Sequence, residues 1–199
     1  MYAAEQDRPD VAEKRAEWKV KQAGLDPKKL VFIDESGAKT NMTRRYARSP
    51  KGKPIVDKVP HGHWQNITYV CGIRRSGIVA PKSFVGGMTT ARFVDYIRDV
   101  LCSTLANGDV VVMDNLPAHK SPCVRCLIEW CGAKLLYLPP YSPDLNPIEN
   151  SFAKENSLLR KAKIRDVDKL LVFLKQSRNI SPLWTAMDTS NTADIGNKN

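Results

Sequence analysis

Nowhere in the 199 residues does an apolar stretch approach the roughly 18 that a bilayer-spanning helix needs. The N-terminal MYAAEQDRPD is acidic where a secretory signal would be basic and then apolar. Together these absences predict a soluble, cytoplasmic protein. Internal repeats are missing as well. Cysteine numbers only five (Cys71, Cys102, Cys123, Cys126 and Cys131), and an odd count without a secretory signal favours reduced thiols over a disulfide framework. Cys123, Cys126 and Cys131 resemble a metal cluster at first sight. However, Val124, Leu127, Ile128 and Cys131 share one helical face, and a single CxxC without a second pair or nearby histidine cannot complete a tetrahedral zinc site. Acidic residues are the other shortage: 21 Asp and Glu stand against 31 Lys and Arg, a formal charge of +10 with a pI near 9.5. Such a balance favours a polyanionic partner, nucleic acid first, although a solvated basic surface would give the same number.

What is present reads as one domain with a real core, since 42% of the chain is hydrophobic. Residues 9–23 are predicted to form a charged helix with Ala12, Ala16, Val20 and Ala23 along one face, stopped by Gly24. KLVFID (29–34) is a short apolar strand, followed by a further strand and a long basic loop within GAKTNMTRRYARSPKGKPIVDK. WQNITYVCGI (64–73) and GIVAPKSFV (77–85) flank Arg74-Arg75-Ser76 as a hairpin. Phe93, Ile97, Val100, Leu101 and Leu105 then repeat at helical spacing up to Asn107-Gly108. A buried strand (DVVVMD, 109–114), a helix (about 121–131), a strand (134–138), a Pro-rich loop and a helix from Pro147 complete the series. The order βββαβαβα predicts an α/β fold, a mixed five-stranded sheet with helices on both faces, as in ribonuclease H-like folds. The expected division is a helical lead-in (1–28), the main domain (29–175) and a polar tail (176–199) that is poorly ordered.

Asp34 and Asp114 each close an apolar strand, at the carboxyl ends where open α/β sheets place their sites. Either alone is equally well a turn or helix cap. Asn146-Pro147-Ile148-Glu149 likewise reads as an N-cap, a proline at the first helical position and an acid closing a capping box. Jointly, two strand-end aspartates and a helix-borne glutamate can converge from three elements on one metal pair. Carboxylate oxygens suit magnesium or manganese, and two such ions about 3.5 to 4 Å apart stabilise the attacking and leaving oxygens of an in-line displacement at phosphorus.

Several segments carry a family resemblance: VFIDES around Asp34, TNMTRRYARSPKG, VPHGHWQNIT, VVMDNLPAHK around Asp114, and above all LPPYSPDLNPIEN around Glu149. In these, over roughly residues 5–170, the chain resembles the DDE transposases of the mariner superfamily, within it the bacterial insertion sequence 630 branch. The 34 residues between Asp114 and Glu149 match that family's usual spacing. The resemblance implies a ribonuclease H-like fold and a site of Asp34, Asp114 and Glu149 holding two Mg2+ or Mn2+ ions. It also implies cut-and-paste movement of DNA, with cleavage at transposon ends and strand transfer into TA-containing double-stranded targets, by a homodimer on nucleoid DNA.

Other residues are weighed beside these. Alternation along the strand points Glu35 away from Asp34, so it is left out of the metal site, and Asp144 reads as a turn residue. His119 either contacts phosphate, orients an acid or simply starts a helix. His61 and His63 read as structural or DNA-facing. Arg44, Arg45, Arg48, Lys51 and Lys53, with Tyr46 among them, form a candidate phosphate-contacting loop, and Arg160, Lys161, Lys163 and Arg165 a second basic run. Members of the resembled family begin with a helix-turn-helix region that reads the terminal repeats, and only 33 residues precede Asp34. End recognition is therefore expected from an N-terminal fragment encoded in an upstream frame, or the chain is a decayed, non-catalytic DNA-binding remnant or regulator.

Overall fold

Runs of β-branched residues set the central sheet. The computed structural model describes residues 4–44, 46–59 and 61–176, and the predicted polar tail beyond Gln176 lies outside them. Strands β1 (Leu30–Lys39), β2 (Asn66–Arg74), β3 (Gly77–Val85), β4 (Val110–Met113) and β5 (Lys134–Tyr137) form one sheet in the order β3-β2-β1-β4-β5. The first three are antiparallel, joined by the predicted hairpin, while β4 and β5 run parallel to β1 through helical crossovers. The hairpin needs Gly72: a Cβ there would lie 2.7 Å from Ile33 Cδ1 and 2.9 Å from Val79 Cγ2, next to a bulge in the β2–β3 pairing.

Period-two alternation sorts the strands onto two cores. Leu30, Phe32, Val110 and Val112 face one layer, made by α1 (Pro9–Ala23), α4 (Ile148–Ala162) and α5 (Val167–Gln176), through Trp18, Ile148, Phe152, Leu159, Leu170 and Leu174. Val31, Ile33, Val111 and Met113 face the other, made by α2 (Thr90–Tyr96) and α3 (Pro122–Trp130), through Phe93, Tyr96, Val124 and Ile128. Because β1 continues as Leu30, Phe32, Asp34 and β4 as Val110, Val112, Asp114, both aspartates follow the α1/α4/α5 face, and Glu35 follows the α2/α3 face.

Three expectations are corrected. Helix α1 buries Val11 and Trp18 rather than the alanine face, and Val20 is 77% exposed, because one indole removes more apolar surface from water than three methyl groups. The predicted helix after Thr89 is α-helical only to Tyr96; Ile97–Leu101 widens into a π turn and Cys102–Thr104 tightens into a 3-10 turn. The strand expected after Asp34 is not separate: β1 runs on to Lys39, so Asp34 lies in mid-strand.

Candidate active site

Pairing of β1 with β4 ends at Phe32–Val112, whereas pairing with β2 runs on to Lys39–Asn66. From Asp34 onward one edge of β1 is therefore open. This is the point where the sheet switches from antiparallel to parallel neighbours, and a crevice opens beside the free edge of β1 and outside the carboxyl end of β4. Asp34, Asp114 and Glu149 line that one cleft, about 470 Å³ in volume, with Asn115, Leu116, the 138–143 loop and Asn146.

Asp34 is 8% exposed and held at both oxygens. Its Oδ1 accepts from the backbone N–H of Glu35 at 2.7 Å and its Oδ2 from Asn146 Nδ2 at 2.8 Å. Burial pushes its carboxyl up to about 7; the Glu35 N–H opposes this, and the negative charges of Glu149, Glu35 and Asp114 add to it. Asp114 leaves the end of β4 and accepts at Oδ1 from Leu116 N at 3.0 Å and from the His119 ring at 2.6 Å. Burial raises its carboxyl, but these hydrogen bonds and the His119 charge outweigh it, so the net direction is downward. Glu149 stands in the first turn of α4, raised by partial burial and then by Asp114.

The expected capping box does not form. Asn146 turns its amide nitrogen to Asp34, leaving only a long 3.4 Å contact from Ile148 N to its Oδ1, and α4 begins without a side-chain cap. A local cap contributes about 1 kcal/mol, and a bond to a buried carboxylate contributes more, so the distant partner wins.

The donor set fits a hard divalent cation: three carboxylates on one cleft, with Asp34 and Glu149 raised first by burial and then by the neighbouring acids. Among the described residues no three potential ligands form a closed cluster, so the acids share a cleft rather than a preformed cage.

A profile of the DDE superfamily endonucleases matches residues 29–171. The chain belongs to that family. Among solved structures, the Mos1 transposase paired-end complex with left transposon end superposes with a TM-score of 0.75 at 16% identity, over 94% of this chain and 61% of that one. The Mos1 mariner paired-end complex with Mn gives 0.73 at 16% identity, over 94% and 60%. The catalytic domain of Mos1 mariner transposase alone gives 0.63 at 16% identity, over 94% and 89%. At this identity the likeness shows the fold, the ribonuclease H-like one. The chain spans about three fifths of the length of the full Mos1 chains. No curated protein matches it.

Within this DDE endonuclease domain the basic candidates separate. Arg44, Arg48, Lys51 and Lys53 are exposed on the loop between β1 and β2, with Tyr46 90% exposed; Arg45 lies outside the described residues. Of the second run, Lys161 is exposed and Arg160 half-buried, whereas Lys163 pairs with Asp57 at 2.8 Å and Arg165 donates to the carbonyls of Thr40 and Met42. These last two therefore tie the basic loop down. His61 and His63 are exposed. His119 does not face DNA: it is fully buried, with both ring nitrogens taken by carboxylates, Asp114 at 2.6 Å and Glu35 at 2.9 Å. Burial would lower its pKa, but those two acids raise it to about 9. Asp144 is more than a turn residue, since Arg15 of α1 donates to both its oxygens, at 2.9 and 2.6 Å, and to Ser142 Oγ at 2.7 Å. Gln6 adds a bond to the Tyr141 carbonyl, so the N-terminal segment latches the loop that leads to Asn146 and Glu149. Among the described residues no helix is long and apolar enough to cross a membrane.

Proposed function

We propose that this chain is the catalytic domain of a cut-and-paste transposase of the mariner superfamily, insertion sequence 630 branch. In this reading Asp34, Asp114 and Glu149 hold two Mg2+ or Mn2+ ions. The observation that carries it is the arrival of three acids, from β1, the end of β4 and the start of α4, on one cleft of a DDE endonuclease domain. The Mos1 complexes similar in fold hold a transposon end, Mn or Mg, which supports the same ligands here. Bound divalent ions activate the attacking oxygen and neutralise charge on the leaving one.

The rest is the work of the chain. Asn146 fixes the Asp34 carboxylate, and the Arg15 latch fixes the loop that delivers Asn146 and Glu149. Beside the acidic cleft, and sharing Asn115, Leu138, Pro139 and Pro140 with it, runs a groove lined by Lys14, Lys21 and Lys120. Those cations and the exposed loop of Arg44, Arg48, Lys51 and Lys53 hold the backbone of double-stranded DNA, both transposon end and TA-containing target, with the scissile phosphate over the acids. End reading falls to an N-terminal transposase region, fused or separate, and the working form is a homodimer on nucleoid DNA.

The test is nicking and strand transfer on a duplex carrying the element's end, with that N-terminal region supplied. Cleavage should require Mg2+ or Mn2+ and fall by several orders of magnitude in Asp114→Ala while the fold persists. Absence of metal-dependent cleavage by the wild type, together with a destabilised Asp114→Ala, would leave the DNA-binding remnant as the better reading.

A further inference from the structure

The side of the sheet opposite the acidic cleft carries a second arrangement of charged groups. Glu35 leaves β1 on the α2/α3 face, and its Oε1 lies 2.9 Å from Nε2 of His119, a residue 84 positions away in the chain. The other ring nitrogen, Nδ1, lies 2.6 Å from Asp114 Oδ1. With a proton on each nitrogen, the ring donates to both acids and forms a continuous connection Glu35–His119–Asp114. The ring itself has little freedom. The Phe93 ring packs on it with centroids 4.2 Å apart, the Tyr137 hydroxyl donates to the His119 carbonyl at 2.9 Å, and its N–H is bound to the Leu116 carbonyl at 3.0 Å. Glu35 is equally confined, with its side chain 12% exposed.

The consequence falls on the geometry of Asp114. Both bonds that it accepts, from His119 and from Leu116 N, end on Oδ1. Oδ2 is thereby left as the oxygen presented to the cleft, and the carboxylate plane is fixed by two donors on one side. Asp34 differs, because both its oxygens are engaged, Oδ1 by the adjacent Glu35 N–H and Oδ2 by Asn146 Nδ2 from the distant loop. A carboxylate whose side chain is 36% exposed would otherwise sample several rotamers.

We propose that Glu35 and His119 are positioning residues that aim Asp114 Oδ2 at the divalent ion, with Glu35 reaching Asp114 only through the His119 ring. This rests on the reading of Asp114 as a metal ligand. Hydrogen-bonded supports of ligating groups typically govern about 10- to 100-fold in metal affinity. Neither residue touches the ion, substrate or reacting atoms.

The test is calorimetric titration of the full chain with Mn2+, alongside thermal melts of each variant in chelator. Glu35→Ala and His119→Ala should each weaken Mn2+ binding by about 10-fold or more. The double variant should be no weaker than His119→Ala, because Glu35 has no route to Asp114 without the ring. Glu35→Gln, which keeps an acceptor for Nε2–H, and His119→Asn, which keeps a donor near the Nδ1 position, should recover most of the affinity. A merely structural role predicts lowered melting temperatures with wild-type Mn2+ affinity in whatever remains folded, and that result overturns the proposal; so do additive losses in the double variant. Should the single variants fail to fold because one acid is left buried without a partner, the double variant decides alone, with about 10-fold weaker binding supporting the proposal and wild-type affinity refuting it. A wild-type chain that binds no Mn2+ sinks the metal reading together with this one, whereas wild-type binding with unaffected variants sinks this one only.

Discussion

Asp34→Asn should stabilise the metal-free protein at pH 8 and leave it nearly unchanged at pH 5. In the native state the Asp34 carboxyl is pushed up to about 7, chiefly by burial and then by the acids around it, from an ordinary value of 3.8. A rise of that size disfavours the ionised form by about 4 kcal/mol. Its sign is fixed: a group raised in the folded state supports stability below its unfolded pKa and withdraws that support as pH rises through the folded one. Wild-type stability should thus decline between about pH 4 and pH 7 and then level off, as far as this residue decides it. Asparagine carries no charge to desolvate. Its Oδ1 still accepts from Glu35 N, but its Nδ2 meets the amide nitrogen of Asn146, so one bond is lost unless Asn146 flips, at about 1 kcal/mol. The net gain at pH 8 is about 2–3 kcal/mol, which for a chain of this size raises Tm by roughly 5–10 °C.

The assay is thermal or urea unfolding of both proteins in chelator across pH 5 to 8, repeated with Mn2+. Adding the ion should reverse the ranking once free metal reaches about 1,000 times its Kd, where it stabilises the native state by about 4.1 kcal/mol, because the variant has lost a ligand. If Asp34→Asn melts below the wild type at pH 8 in chelator, Asp34 is a structural acid and the argument from shared negative charge fails.

Two further outcomes follow from the surface. Duplex DNA binding should lose about 0.9 in log affinity per log salt for each phosphate neutralised, so reversing the charges of Lys14, Lys21 and Lys120 should reduce the slope measured by fluorescence anisotropy without changing sequence preference. Arg15→Ala breaks a partly exposed pair with Asp144, and should lower stability by only about 1 kcal/mol while reducing DNA nicking more than 10-fold, because the loop holding Asn146 and Glu149 loses its latch; equal losses in fold and activity would refute the latch.

The sheet was legible because its information is local. KLVFID and DVVVMD place apolar residues on both faces of central strands, and their pattern, the hairpin and the helical crossovers give the mixed five-stranded sheet and the βββαβαβα series found, though not the neighbour order of the strands. The three acids were legible for a similar reason: Asp114 follows a strand end and Glu149 a helix start, while Asp34 closes the apolar run KLVFID, although β1 itself continues to Lys39. What was not legible depends on distant partners. Alternation correctly turned Glu35 away from Asp34, but what it meets there, His119, arrives from 84 residues along the chain. Asn146 has strong local reasons to cap a helix, and only the fold brings Asp34, 112 positions away, within reach of its amide. Asp144 looks like a turn residue until Arg15 is folded onto it across 129 positions. On α1 the apolar count favoured the alanines; volume, which the count ignores, favoured Trp18.

These long-range bonds divide the labour between the two faces of one sheet. Alternation puts Asp34 and Asp114 on the α1/α4/α5 side, where the open edge of β1 leaves room for solvent and phosphate. It puts Glu35 on the α2/α3 side, where Phe93 and its neighbours exclude water from His119. Each support is built on the side where burial strengthens it, because a hydrogen bond between charged groups gains in a low-dielectric setting. In the proposed reading, each of these acids opens on the side where hydrated ions and DNA can approach. Asp114 is the residue that spans the two, with Oδ1 bound toward the core and Oδ2 left for the cleft. Its position at the end of β4 makes that possible: one residue earlier, Met113 is fully buried in the α2/α3 core, and one residue later, Asn115 already donates to the Leu138 carbonyl across the next loop.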